Sequence, residues 1–149
     1  MNKNLLKYGR EIIRSVRFKE ASDVTHHHVT NVARHSYRVA AASDDIANFL
    51  INKGIKVDRE MLLRAALLHD IAMTVPSVKS KVGIIKYCIH PFTGSRLAKC
   101  EYELDKKTLR AIRFHMWPLT IIPPTSREGW ILLAADKYCS IIERTKAAS

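Results

Sequence analysis

Apolar residues recur at helical spacing along most of this chain, whereas no segment keeps the strict alternation of a half-buried β-strand. Within residues 30–52, one face of a predicted helix carries Val39, Ala42, Ile46 and Phe49. Helix-breaking residues are few, with five glycines and five prolines among 149 residues. The pattern predicts an all-α fold, a compact bundle of about five to seven helices.

Turn and capping signals set the approximate ends of the predicted helices. His90 and Pro91 are predicted to open a helix, and Thr125 with Glu128 resembles a capping box. The proline-containing stretch from Pro118 to Pro124 is predicted to be a loop. The predicted helices run over about residues 4–18, 30–52, 59–70, 92–103, from Asp105 to His115, and from Thr125 to Arg144.

The net charge of +11 and the pI near 9.8 predict attraction to phosphorylated small molecules and other polyanions. A nucleic-acid partner is compatible with this charge, but no RNA-binding motif accompanies it. The three cysteines form no paired motif and are expected to be reduced thiols. The sequence shows neither a signal peptide nor a membrane span, so we expect a cytoplasmic protein without membrane contact.

Three segments place ionisable residues among apolar ones. His35 shares a helix face with apolar residues, His69 and Asp70 close the apolar run RAALLHD, and Asp136 lies in GWILLAADKYCSII. A buried carboxylate requires compensation, which a metal or a salt bridge to an arginine would provide. A single buried histidine is more often simply hydrogen-bonded within the core. Lys137 lies about 100° around the helix from Asp136 and is not an obvious partner for it.

The order H…HD…D, carried by NVARHSYRVA, LLRAALLHDIA and LLAADKYCS, resembles the HD-domain superfamily of metal-dependent phosphohydrolases. The resemblance spans about residues 25 to 143. It implies an all-α fold and a divalent metal bound by His35, His69, Asp70 and Asp136. Residues 25–149 would form the HD domain, and residues 1–24 a basic amphipathic helix packed on it. A role of that helix in forming a homodimer is left open.

Two further histidines, His90 and His115, lie between the HD pair and Asp136. Binuclear members of the superfamily add two histidines in this interval, so the resemblance implies two ions with Asp70 bridging them. The alternative is that one or both histidines bind substrate phosphate. The segments HPFTGSRLA and IRFHMWPLTIIPP also look like an uncharacterised bacterial HD/HDIG-type subgroup. The mixed nitrogen and oxygen ligands suit Mn²⁺, Fe²⁺, Co²⁺ or Ni²⁺.

The resemblance implies a phosphatase or phosphodiesterase acting on a nucleotide or a related phosphorylated metabolite. Asp70 and Lys137 are the predicted catalytic residues, and Lys137, Arg38 and His27 the predicted substrate contacts. His27 belongs to the run His26 to His28, which is equally consistent with a solvated loop. The alternatives are a mononuclear nucleoside 5′-monophosphatase, a non-catalytic module that binds nucleotides or RNA, and a di-iron oxygenase.

Overall fold

The computed structural model describes residues 2–26 and 30–147, and helices dominate this part of the chain. The eight α-helices of the described residues are α1 (Lys3–Arg14), α2 (Val16–Glu20), α3 (Val32–Asn52), α4 (Arg59–Leu68), α5 (Pro76–Lys79), α6 (Gly83–Glu101), α7 (Lys106–Phe114) and α8 (Arg127–Ala147). Two 3-10 helices cover Ala21–Asp23 and Ile71–Thr74. The strands β1 (Thr25–His26) and β2 (Thr30–Asn31) pair antiparallel. The predicted all-α fold is confirmed, with α2 and α5 as single short turns.

Helix α4 lies at the centre of the bundle, packed against α1, α3, α7 and α8. From Met61 to Leu68 every side chain except Arg64 is buried. A helix that is apolar nearly all round is stable only when other elements cover it on all sides. His69 and Asp70 directly follow α4 and therefore lie in the middle of the domain.

A buried carboxylate holds the start of α1 against the rest of the bundle. Asp44 of α3 is 2% exposed, accepts hydrogen bonds from Asn2 Nδ2 at 2.8 Å and Asn4 Nδ2 at 3.0 Å, and forms an ion pair with Arg59 at 2.6 Å. Asn2 also caps α1, because its side chain accepts from the Asn4 backbone N–H. This network joins α1, α3 and the first turn of α4.

The predicted helix over residues 4–18 is divided in the structure, because the hydroxyl of Ser15 caps α2 by accepting from Phe18 N. Helix α6 begins at Gly83, well before the predicted start at His90-Pro91, and Pro91 lies inside it. A proline within a helix removes one backbone hydrogen bond, and here the packing of α6 on α7 and on the 3-10 helix Ile71–Thr74 compensates for that loss.

The capping box predicted at the start of α8 is also wrong. Ser126, not Thr125, accepts the hydrogen bond from Gly129 N, at 3.1 Å. Glu128 turns to a neighbouring segment and accepts from the backbone N–H of Asp58 at 2.9 Å. The motif was recognisable, but a partner distant in sequence takes the carboxylate that the capping box requires.

Two buried helical glycines make a matched test of this packing. A Cβ at Gly9 would overlap Leu67 Cδ1, and Leu67 is itself fully buried, whereas a Cβ at Gly94 would meet its neighbours at 3.4 Å or more. We expect Gly9→Ala to lower the free energy of unfolding by about 1–3 kcal/mol through overpacking. Gly94→Ala should raise it by about 0.5–1 kcal/mol through helix propensity. Urea unfolding of both variants measures this, and equal shifts would contradict the tight approach of α1 to α4.

Candidate metal centre

Six ionisable side chains from five parts of the fold meet in the interior. Each is at most 5% exposed. His35 comes from the first turn of α3, His90 from the middle of α6 and Asp136 from the middle of α8. The others leave helix ends: His69 and Asp70 follow α4, and His115 follows α7. All six predicted metal ligands are thus brought together.

The two oxygens of Asp70 face different pairs of histidines. Oδ2 lies 3.9 Å from His35 Nε2 and 3.5 Å from His69 Nε2. Oδ1 lies 3.0 Å from His90 Nε2 and 3.7 Å from His115 Nε2. Asp70 therefore stands between two nitrogen pairs and offers one oxygen to each, which is the arrangement that a bridging carboxylate requires.

Asp136 completes the half of the cluster that contains His35. Its Oδ1 lies 3.1 Å from His35 Nε2 and 3.6 Å from His69 Nε2, and its Oδ2 pairs with Lys137 Nζ at 3.2 Å. Lys137, which the helical spacing did not make an obvious partner of Asp136, is thus paired with it. The two residues diverge around the helix, but the long lysine side chain bends back far enough to bring its ammonium to the carboxylate.

Each of the four imidazole rings has its Nδ1 hydrogen-bonded on the side away from the centre of the cluster. His69 Nδ1 donates to Ala66 O at 2.8 Å and His115 Nδ1 to Ile112 O at 2.7 Å, each within its own helical turn. His90 Nδ1 donates in the same way to Lys86 O at 3.1 Å. The Nδ1 of His35 instead donates to the Glu143 carboxylate at 2.9 Å. With Nδ1 engaged behind each ring, every Nε2 is directed to the centre of the cluster.

This arrangement fits a bound cation. His90 Nε2 and His115 Nε2 are only 3.1 Å apart, and with both Nδ1 atoms acting as donors their lone pairs converge on Asp70 Oδ1. His69 Nε2 is buried and forms no hydrogen bond to any described residue. Such a set of acceptors is costly to bury without a positive charge among them. Three groups of donors meet the spacing for a shared ion: His35, His69 and Asp70; His69, His115 and Asp136; Asp70, His90 and His115.

The electrostatics differ between the two halves of the cluster. Burial alone would lower the pKa of His35, but the hydrogen bonds to Asp136 and Glu143 outweigh it and raise that pKa to about 10. Burial would raise the pKa of Asp136, yet His35 and His69 hold it well below its usual range. Burial, with His69 and His90 adding to the effect, lowers the pKa of His115 to about 4. This ring is therefore uncharged, and its Nε2 can donate a lone pair to a cation.

Glu143 is a residue of this site that the sequence analysis did not find. It is 3% exposed, accepts from His35 Nδ1 with Oε2 and pairs with Arg38 through Oε1 at 3.0 Å. A signal was present in the sequence, because Glu143 follows Asp136 by seven residues and such a spacing places both acids on one side of a helix.

A cavity of about 340 Å³ opens onto the cluster. Asp70, His90 and Asp136 line its inner end, and Lys137 stands beside them with its side chain 41% exposed. Arg38, by contrast, lines a different cavity together with Glu143. The structure therefore favours a supporting role for Arg38 behind His35 over the substrate contact predicted for it. His27 lies outside the described residues.

Comparison with known families agrees with this picture of a helical domain built around a buried histidine and aspartate cluster. The HD domain model matches residues 32–141, which is well over half of the chain. The protein belongs to the HD domain family, within a superfamily of metal-dependent hydrolases. Neither the curated proteins nor the solved structures gave a significant match. None of the described helices combines the length and the apolar character that crossing a membrane demands.

Proposed function

We propose that this protein is a metal-dependent phosphohydrolase that cleaves a phosphomonoester or phosphodiester of a nucleotide or related metabolite. The observation that carries the proposal is the convergence of four Nε2 atoms and two carboxylates at the closed end of a cavity that also contains a lysine ammonium. Buried nitrogen and oxygen donors supply the ligands, and the lysine supplies a counter-charge for phosphate.

In the proposed ligand set, Asp70 would contribute one oxygen to each of two ions. His35, His69, Asp136 and Asp70 Oδ2 would hold one ion, and His90, His115 and Asp70 Oδ1 the other. The donors suit Mn²⁺, Fe²⁺, Co²⁺ or Ni²⁺. When bound, such ions polarise the phosphoryl oxygens and lower the pKa of water toward 7.

The chain's own residues account for the positioning of the substrate. The ion pair with Asp136 keeps Lys137 Nζ at the inner end of the cavity, where it would pair with a phosphate oxygen and offset its negative charge. The Nδ1 hydrogen bonds hold the four rings in place, so little reorganisation accompanies binding. In the overall reaction water adds to phosphorus, the bond from phosphorus to the ester oxygen breaks, and that oxygen leaves as the protonated alcohol.

Metal stoichiometry tests the two-ion assignment. We expect protein purified anaerobically and without chelators to contain about two transition-metal ions per chain. His90→Ala removes a ligand of one proposed ion only, so it should reduce the content to about one ion, measured by elemental analysis after equilibration with Mn²⁺.

His35→Ala is the matched variant for the other half of the cluster, and it too should leave one ion. Mn²⁺ titrations followed by electron paramagnetic resonance distinguish each variant from the unaltered protein, because a coupled pair of ions becomes an isolated ion in each variant. One ion in the unaltered protein would instead favour the mononuclear nucleotidase. Absence of metal binding and of turnover would leave a binding module, and salt-sensitive RNA affinity would then identify it.

A further inference from the structure

We infer that the organic part of the phosphorylated substrate carries an apolar or aromatic group, and that the substrate is not the phosphate ester of a simple sugar or polyol. The inference rests on the proposed function, because it assumes that phosphate occupies the charged end of the cavity. It concerns the rest of that cavity, where the side chains differ sharply from those of the metal centre.

Beyond the metal centre, the cavity wall is largely apolar. Met73 and Met116 form its buried part and are 4% and 9% exposed. Leu119 and Ile141 form its outer part, and the aromatic ring of Tyr87 lies against His90 with 6.3 Å between ring centres. A substrate that reaches Lys137 therefore extends outward between thioether, aliphatic and aromatic side chains.

The outer part of the cavity wall exposes apolar side chains to solvent, which is unfavourable in free energy. Ile141 of α8 is 62% exposed, and Leu119 is 42% exposed. Exposed apolar side chains that border a cavity commonly mark a ligand site, because the ligand removes their surface from water. An apolar ester group would cover both of them when it binds.

Hydrogen-bonding groups are in the minority on the same wall. Outside the charged inner end, the described lining contributes the polar groups of Tyr87, Ser140 and Arg144. The Ser140 hydroxyl already donates to Asp136 at 3.4 Å. A sugar or polyol phosphate would lose the hydration of several hydroxyl groups against methionine, leucine and isoleucine, and groups left without partners weaken binding.

The test compares two esters of primary alcohols, benzyl phosphate and glycerol 3-phosphate, with Mn²⁺-loaded protein. Their leaving groups are similar in reactivity, so kcat/KM reports the fit of the organic part. Each is also supplied as its methyl diester, because the proposed function includes both ester types. We expect the benzyl esters to be favoured by at least about tenfold, as is typical of discrimination by an apolar pocket.

Substitutions in the cavity wall test whether the preference for benzyl esters arises from this cavity. Ile141→Thr and Leu119→Ser should each reduce the benzyl-to-glycerol ratio of kcat/KM by about threefold or more. The matched control is Ile121→Thr, since Ile121 is 94% exposed and does not line the cavity, and it should leave the ratio unchanged. Equal or reversed preference in the unaltered protein, or a ratio insensitive to both wall variants, would overturn the inference while the phosphohydrolase stands. Failure to hydrolyse any of these esters, with metal bound, would overturn the inference, and turnover of a nucleoside monophosphate in the same assay would show that the proposed phosphohydrolase function still stands.

Discussion

Replacement of Asp70 by alanine is expected to remove both metal ions and to abolish turnover, the largest effect of any single change in this chain. Asp70 offers an oxygen to each half of the cluster, with Oδ2 toward His35 and His69 and Oδ1 toward His90 and His115. Loss of one group that stabilises a transition state commonly costs about 10²–10³-fold, so the loss of a residue shared by two ions should exceed about a thousandfold.

The fold should survive this substitution. Asp70 makes no capping hydrogen bond at the 3-10 helix that follows it, and the core around α4 is built from apolar side chains that the change leaves in place. Far-ultraviolet circular dichroism is therefore expected to stay close to that of the unaltered protein. Asp70→Asn, which keeps the shape of the side chain but not its charge, should also lose metal.

Elemental analysis and steady-state assays measure these effects directly. Asp45→Ala is the control, because Asp45 is an exposed carboxylate of α3 outside the cluster. It should leave both metal content and kcat/KM unchanged. A folded Asp70→Ala protein that retained two ions and its activity would refute the shared role of this carboxylate.

The second large effect is expected at Glu143, which supports His35 from behind. Its carboxylate accepts from His35 Nδ1 and is held in turn by Arg38. Carboxylates that orient a metal-binding histidine typically contribute about 10–100-fold to metal affinity. Glu143→Ala should therefore weaken the ion held by His35 by about this factor, measured as two-site Mn²⁺ binding isotherms.

Site selectivity distinguishes this role from general destabilisation. The ion at His90 and His115 should keep its affinity in Glu143→Ala, because those rings donate to backbone carbonyls and not to Glu143. Glu143→Gln should recover part of the lost affinity, since an amide oxygen still accepts from Nδ1. Glu101→Gln is the control, as Glu101 pairs with Arg17 on the surface. Equal weakening of both ions in Glu143→Ala would contradict the assignment.

The sequence predicted several helices because their positions depend on the local periodicity of apolar residues. The helical spacing of apolar residues predicted α3, α4 and α7 closely, and in the structure a polar side chain caps the start of each helix: Asn31, Asp58 and Asp105. The start of α6 was missed because proline is usually a boundary signal. Contacts with α7 and the 3-10 helix, which lie elsewhere in the chain, decide that α6 continues through Pro91.

The sequence by itself identified the candidate ligands through the order H…HD…D and the resemblance to the HD domain, which implies a shared metal at His35, His69, Asp70 and Asp136. The cost of burying an acid alone indicated only that these side chains need compensation, by a metal or by a salt bridge. Only the tertiary structure decided how that charge is arranged. The packing of α3, α4, α6, α7 and α8 around one point sets the direction of each Nε2 and places Asp70 between two histidine pairs. The same packing brings Lys137 to Asp136 and places Glu143 behind His35. Local spacing fixes the face on which a side chain lies, but the distances between faces are set by helices far apart in sequence.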